Sequence, residues 1–182
     1  WSSDVCSSDL ALFNKLIINK GYRGALDFTI SEPLVQTNSD GDIKHIADRK
    51  RLNSHKLIEE FMLAANISAA DFISQYAKEG VYRIHEHPES LKIQRLSQVL
   101  KNRGINWNGN IEDIENISEF ILKLNKRDDA PILNMLILQS MQRAEYSTLN
   151  KGHFGLKFDK YTHFTSPIRR YPDLLVHRII RS

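Results

Sequence analysis

The densest run of chemically useful side chains is Tyr161-Thr-His-Phe-Thr-Ser-Pro-Ile-Arg-Arg-Tyr-Pro-Asp-Leu-Leu-Val-His-Arg178. Ser166 followed by Pro167 predicts a helix start, because a serine hydroxyl accepts an orphan amide hydrogen and proline is pre-set for the first helical position. The first turn of such a helix offers unpaired backbone N–H groups and the positive end of its dipole beside Thr165, Ser166, Arg169 and Arg170, a compact receptor for an oxyanion such as phosphate. Pro172 disfavours helical geometry at Tyr171 and removes a ladder bond, so the expectation is a short turn, a kink and a second helical run that aims the arginines. The same residues also fit an ordinary surface, with Arg169/Asp173 and Asp173/His177 as four-apart pairs worth a few tenths of a kcal/mol. Density favours the receptor: two arginines, two hydroxyls and a tyrosine crowd around one helix start.

The preceding elements must position this turn. Lys151 to Lys160 lacks helical period, and Phe154, Leu156 and Phe158 alternate as in a strand feeding the turn. His153 at its start fits either a satisfied loop histidine or a ribose or phosphate contact. Further back, Asp48 to Lys78 carries Ile58, Phe61, Met62, Ala65, Ala69, Phe72, Ile73 and Tyr76 at three and four spacing, stopped by Gly80, which predicts a long central helix. Glu59 and Asn66 share one of its faces about 10 Å apart along the axis. Both also fit residues that merely border solvent or satisfy nearby backbone.

Leu12, Leu16 and Ile17 predict a short helix ending near Gly21, and Leu26, Phe28 and Ile30 with the Asp40-Gly41 turn and Ile43 predict a β-hairpin over about 25–47. Val81 to His85 reads as extended, and His85-Glu-His87 invites a metal reading that lacks a third ligand nearby. Helices are expected after Pro88, over 117–126, and from Asp129 or Ala130 onward, with Asp128-Asp129 as cap and dipole partner. The fold class is therefore α+β, mostly helical with one hairpin.

Gly152-His-Phe-Gly-Leu156 followed by Tyr161 to Arg178 resembles the signature of the ribonuclease II / ribonuclease R family, the RNB-type catalytic domain of processive 3′ to 5′ exoribonucleases. Arg23-Gly-Ala-Leu-Asp-Phe28, His55-Lys-Leu-Ile-Glu-Glu60 with Ala65-Asn-Ile-Ser-Ala69, and Arg83-Ile-His-Glu-His-Pro88 are similar in the same order, and closer to the ribonuclease R branch. The resemblance covers roughly residues 11 to 182. It implies RNA hydrolysis with magnesium held by an aspartate cluster, which would lie before the matched region, since 11–182 contains no such motif. It further implies Arg169 as a catalytic contact to the scissile phosphate and Glu59 as an acid near the active site. Thr165, Ser166, Arg170, Tyr171 and His153 would then contact or order the 3′ end of single-stranded RNA, and the intact enzyme would be a monomer.

Composition sets outer bounds. The 182 residues, 41% apolar, suffice for one core of ordinary size. From Lys151 onward there are seven Lys/Arg against two acids, so the net charge of +3 conceals a basic end at the phosphate-receptor pattern, as a nucleic-acid partner requires. The single cysteine, Cys6, excludes internal disulfides and thiolate zinc sites, and no eighteen-residue apolar run exists to span a membrane; a cytoplasmic location fits. The serine-rich 1–10 lacks helical or strand period and reads as a non-native leader outside the fold. The apolar series Leu174, Leu175, Ile179 stops at Ser182 without a cap, so 11–182 reads as the C-terminal part of the domain, truncated at both ends. Two rivals remain on sequence grounds: a non-catalytic RNA-binding homologue, and a helical domain whose basic end binds a protein.

Overall fold

The computed structural model describes residues 3–26, 33–48, 52–107 and 114–182. In chain order these form α1 (Ser3–Arg23), β1 (Pro33–Thr37), β2 (Ile43–Asp48), α2 (Asn53–Tyr76), β3 (Tyr82–Ile84), α3 (Ser90–Asn102), α4 (Ile114–Leu124), α5 (Ala130–Ser140), β4 (Glu145–Ser147), a 3-10 turn (Phe154–Leu156) and α6 (Tyr171–Arg181). The α+β class and the helical majority follow the sequence. Two small antiparallel sheets pair β1 with β2 and β3 with β4.

The hairpin turns through Asn38, whose side-chain oxygen accepts the backbone N–H groups of Asp40 and Asp42 at 3.0 and 2.8 Å. Its second half lies where the pattern placed it, but its first strand is Pro33–Thr37 and not the alternating run from Leu26: Leu26 lies in no strand, and Phe28 and Ile30 fall outside the described residues. Helix α1 begins at Ser3, within the segment set aside as a leader, and Leu10 and Leu12 on it are half exposed. Helix α4 begins at Ile114, earlier than the apolar spacing from Ile117 suggests.

Two apolar clusters organise the packing. Leu96 and Leu100 of α3, Ile117, Ile121 and Leu124 of α4, and Leu133, Ile137 and Met141 at α5 form the larger one, which also takes in Phe154. Ala69 and Ile73 of α2, Tyr82 and Ile84 of β3, and Val176 of α6 form the second. Fully burying a side chain such as Ile73 or Ile84 contributes about 1.5–3 kcal/mol, so α2 and α6 are locked across β3. That clamp matters for function because the arginine turn runs straight into α6.

Two local expectations are corrected. Residues 154–156 form a 3-10 turn instead of a strand. Gly152 at φ +71° and Lys157 at φ +53° bend the chain on either side, and the His153 and Phe158 backbones bond to each other across the resulting loop. The alternating apolar residues arise from this loop, with Phe154 sent into the core. Asp129 precedes α5 but makes no side-chain capping bond; its carboxylate is taken by Arg127 Nε at 2.7 Å.

Candidate RNA-contacting site

Ser166 begins a single turn, in which its carbonyl accepts the N–H groups of both Arg169 (3.3 Å) and Arg170 (3.0 Å). The chain then extends at Arg170 (φ −127°, ψ 114°) before α6 starts at Tyr171 with Pro172 in its first turn. The order of turn, break and second run follows the sequence reading, but the helix expected to start at Ser166 is only a single turn, and Tyr171, expected to be held out of helical geometry by Pro172, is the first residue of α6. Pro172 fits the first turn of α6, where its φ is already helical and no backbone donor is needed.

Asp173 decides what the turn presents. Its side chain is fully buried, and Oδ1 accepts the Ser166 N–H at 2.7 Å and the Arg170 Nη2 at 2.9 Å. Arg170 is thereby folded inward, with its side chain 21% exposed. Arg169 points outward, and its side chain makes no hydrogen bond or ion pair among the described residues. The four-apart pairs that sequence spacing offers are absent: Asp173 binds Arg170, and His177 lies 2.9 Å from the Phe164 carbonyl. A carboxylate already stands in the first turn of α6, while Arg169 is exposed on the turn ahead of the helix.

The segment before the turn is tied to α2. Asn66, 3% exposed, donates to the Tyr161 hydroxyl at 3.0 Å and accepts the Phe164 N–H at 2.9 Å. Thr162 donates to the Val81 carbonyl, and Arg83 N–H to the Tyr161 carbonyl at 2.8 Å, so the run lies along β3. Three buried polar atoms here lack protein partners: Thr165 Oγ1, Arg170 Nε and Asp173 Oδ2. Buried polar atoms need partners, so each of these three is suited to a water or ligand atom.

His153 reaches the same region through Tyr161, its ring edge-on at 5.3 Å. Its Nδ1 accepts the Leu156 N–H at 3.2 Å. Burial, with His85 nearby, pulls its pKa down to about 3, so the ring is neutral and offers no charge to phosphate. A cavity of about 520 Å³ opens beside it, lined among others by His87, Lys151 and Phe158. The metal reading of His85 fails on geometry: Nδ1 accepts the Gly155 N–H at 3.1 Å, and Nε2 stands 2.9 Å from the Gln142 carbonyl. Among the described residues no group of three or more His, Cys, Asp or Glu is placed to hold a metal ion.

The structure therefore brings Thr165, Ser166, Arg169, Arg170 and Tyr171 together, with Tyr171 63% exposed beside Arg169. Glu59 lies half-buried on α2, two turns ahead of Asn66, while the adjacent Glu60 is buried and bonded to Lys20 at 3.2 Å. Sequence reasoning missed Asp173 as the brace, although an acid one residue after a proline at a helix start was its signal. Arg23 also acts structurally, donating to the Leu156 carbonyl at 2.9 Å and covering the Phe158 ring at 4.1 Å.

The family description "RNB domain" matches residues 10–182. Ribonuclease R 1 of Lactococcus lactis is 41% identical over 161 residues, covering 87% of this chain and 20% of that protein. The structure of Mycoplasma genitalium RNase R in complex with ribose-methylated single-stranded RNA superposes with a TM-score of 0.89 at 25% identity, over 96% of this chain and 28% of the other. Yeast Ssd1, described as a pseudonuclease, superposes with a TM-score of 0.62 at 27% identity, over 72% of this chain and 17% of that one. The chain thus spans about a fifth of the length of the curated relatives it matches. With the domain description matched over nearly every residue and the arginine turn, its helix and its brace all inside the match, the chain belongs to the RNB-domain family.

Proposed function

We propose that this chain is part of a 3′ to 5′ exoribonuclease of the ribonuclease R type, hydrolysing RNA phosphodiester bonds, and that it supplies the surface contacting the 3′ end and the scissile phosphate. The observation that carries this reading is the division of labour between adjacent arginines: Arg170 is held inward by buried Asp173, and Arg169 is left free at the tip of the turn. A free guanidinium on a rigid support is suited to forked contact with a phosphate and to stabilising charge as it develops there. The family membership and the RNA-bound relative support RNA as the partner.

In this reading Arg169 is the catalytic residue. Thr165, Ser166 and Tyr171 line the path of the 3′ end, Arg170 orders the turn, and His153 and Glu59 border the site from the 3-10 turn and from α2. Magnesium is the proposed metal, the protein acts as a monomer, and it works in the cytoplasm. The described residues do not form a metal-binding group, so the ligands are proposed to lie outside them, and no step is derived through the ion. Among the described residues no helix is long and apolar enough to cross a membrane.

A non-catalytic RNA-binding role is the second reading, favoured by one observation: the pseudonuclease Ssd1 shares the fold. Kinetics of the intact protein separate the two. Under the exoribonuclease reading, 3′-terminal nucleotides are released from single-stranded RNA, and Arg169→Lys loses most turnover while retaining much RNA affinity, because a point charge cannot reproduce the guanidinium fork. Equal turnover by the lysine variant overturns the assignment of Arg169. RNA binding without hydrolysis by the unmodified protein selects the second reading.

A further inference from the structure

Phe164 lies two residues ahead of Ser166, and both polar groups of its backbone are held by side chains, one from α2 and one from α6. Its N–H donates to Asn66 Oδ1 at 2.9 Å. Its carbonyl stands 2.9 Å from His177 Nε2. A carbonyl oxygen only accepts, so Nε2 carries the proton and donates. The His177 ring also lies flat against the Phe164 ring, with centroids 4.1 Å apart and planes 13° from parallel. One imidazole therefore grips the main chain and the side chain of the same residue.

His177 shares this task with Asp173, which precedes it by four residues and so lies on the same face of α6. Asp173 holds the Ser166 N–H, and His177 holds the Phe164 carbonyl, so one helix face fastens the chain at residues 164 and 166. The fastened stretch runs directly into the single turn, where the Ser166 carbonyl accepts the N–H groups of Arg169 and Arg170. Asn66, buried on α2, holds residue 164 from the other helix. The Phe164 ring packs on the apolar cluster that contains Ile73 of α2 and Val176 of α6. Asp173 also binds Arg170, whereas the bond and the stack of His177 both go to Phe164.

We infer that His177 is a positioning residue for Arg169: by pinning the Phe164 carbonyl it sets where the turn starts, and hence where the exposed guanidinium stands. This rests on the reading of Arg169 as the contact to the scissile phosphate. Stabilising charge in a transition state demands close placement, and an error of about 1 Å costs up to about a hundredfold in rate. RNA affinity is instead gathered from many phosphates along the strand, so one displaced arginine changes it little. Loss of the His177 bond therefore lowers kcat and spares KM.

The test measures kcat and KM of the intact protein on a single-stranded oligoribonucleotide, with unfolding midpoints taken alongside. His177→Phe keeps a ring against Phe164 and removes the donor, while His177→Gln keeps a donor near the place of Nε2 and removes the ring. His177→Phe is expected to lower kcat by roughly tenfold with KM changed less than about twofold, and His177→Gln to recover most of that loss. In an Arg169→Lys background His177→Phe should cost clearly less, because the group it positions has already been replaced. Unchanged kcat in His177→Phe overturns the inference, as does a loss of equal size in the Arg169→Lys background or one that His177→Gln does not relieve. His177→Leu removes the donor in a second way and is judged by the same criteria; if both donorless variants are unfolded at the assay temperature, His177 serves the whole fold and the inference falls. Normal turnover by Arg169→Lys removes the reading of Arg169 itself, whereas impaired Arg169→Lys with normal His177→Phe removes only the positioning role.

Discussion

The Asp173 carboxylate accepts the Ser166 backbone N–H at 2.7 Å, closing the arginine turn from the helix that follows it. The same oxygen binds Arg170, so one fully buried group sets both the backbone and the inward arginine. Removing it strands a half-buried guanidinium and an amide. Asp173→Ala is expected to cost about 3 kcal/mol of stability, the scale for breaking one side of a buried pair. Turnover should fall along with it although Asp173 touches no substrate, and Asp173→Asn should recover part of the stability. Urea unfolding and turnover of the intact protein check this; an unchanged midpoint in the alanine variant contradicts the brace.

Asn66 serves the same turn from α2, across 95 residues of chain to Tyr161. Asn66→Ala leaves the Phe164 N–H and the Tyr161 hydroxyl without partners, at about 1–3 kcal/mol for each group that stays buried. Tyr161→Phe removes only one of those bonds and should cost less. The order of the two unfolding midpoints is the readout, and a larger loss for Tyr161→Phe would contradict it.

Gly155 is fixed by space. A Cβ added there would stand 3.0 Å from His85 Nδ1, and that ring cannot swing away because both its nitrogens are engaged. Gly155→Ala should destabilise by roughly 1–3 kcal/mol through overpacking. A second substitution, His85→Ala, would relieve the clash, so a double-mutant cycle should show a coupling energy clearly different from zero.

Two imidazoles make the fold sensitive to acid. His153 titrates at about 3 and His163 at about 4, both chiefly because of burial, against an ordinary value near 6.5 in the unfolded chain. Between those values the unfolded state binds more protons than the folded one, so stability rises with pH. The contribution is fully present above about pH 6.5 and is lost as pH falls towards 3. His153→Gln should flatten the slope of unfolding free energy against pH by up to one proton in that window. An unaltered slope would show that His153 is not held neutral in the fold.

Salt reports on the outward arginine. RNA affinity of the intact protein should fall log-linearly with salt, and Arg169→Ala should reduce the slope by about 0.7, the value for one phosphate on a single strand. Lys78, outside the turn, serves as a control whose replacement by alanine should leave the slope unchanged.

Much of this molecule was legible in its residues. The helices α2, α3, α5 and α6 follow from apolar spacing and from proline and glycine punctuation, which are local and survive without tertiary context. The position of the arginine turn was equally readable, because Ser166-Pro167 and Pro172 constrain the backbone wherever they stand. The family likeness rested on the same stretch.

Tertiary packing decided the rest. Adjacent arginines look alike in sequence; the buried Asp173 carboxylate binds Arg170 and holds it inward, while Arg169 stays exposed. The alternation of Phe154, Leu156 and Phe158 reads as a strand, yet positive φ at Gly152 and Lys157 folds it into a 3-10 turn and drives Phe154 into the core. The pairing of Asn66 with Tyr161 and Phe164 joins segments far apart along the chain. Periodicity reports which face of an element is apolar; it carries no record of which polar groups meet once distant elements pack, and at this site those meetings set the chemistry.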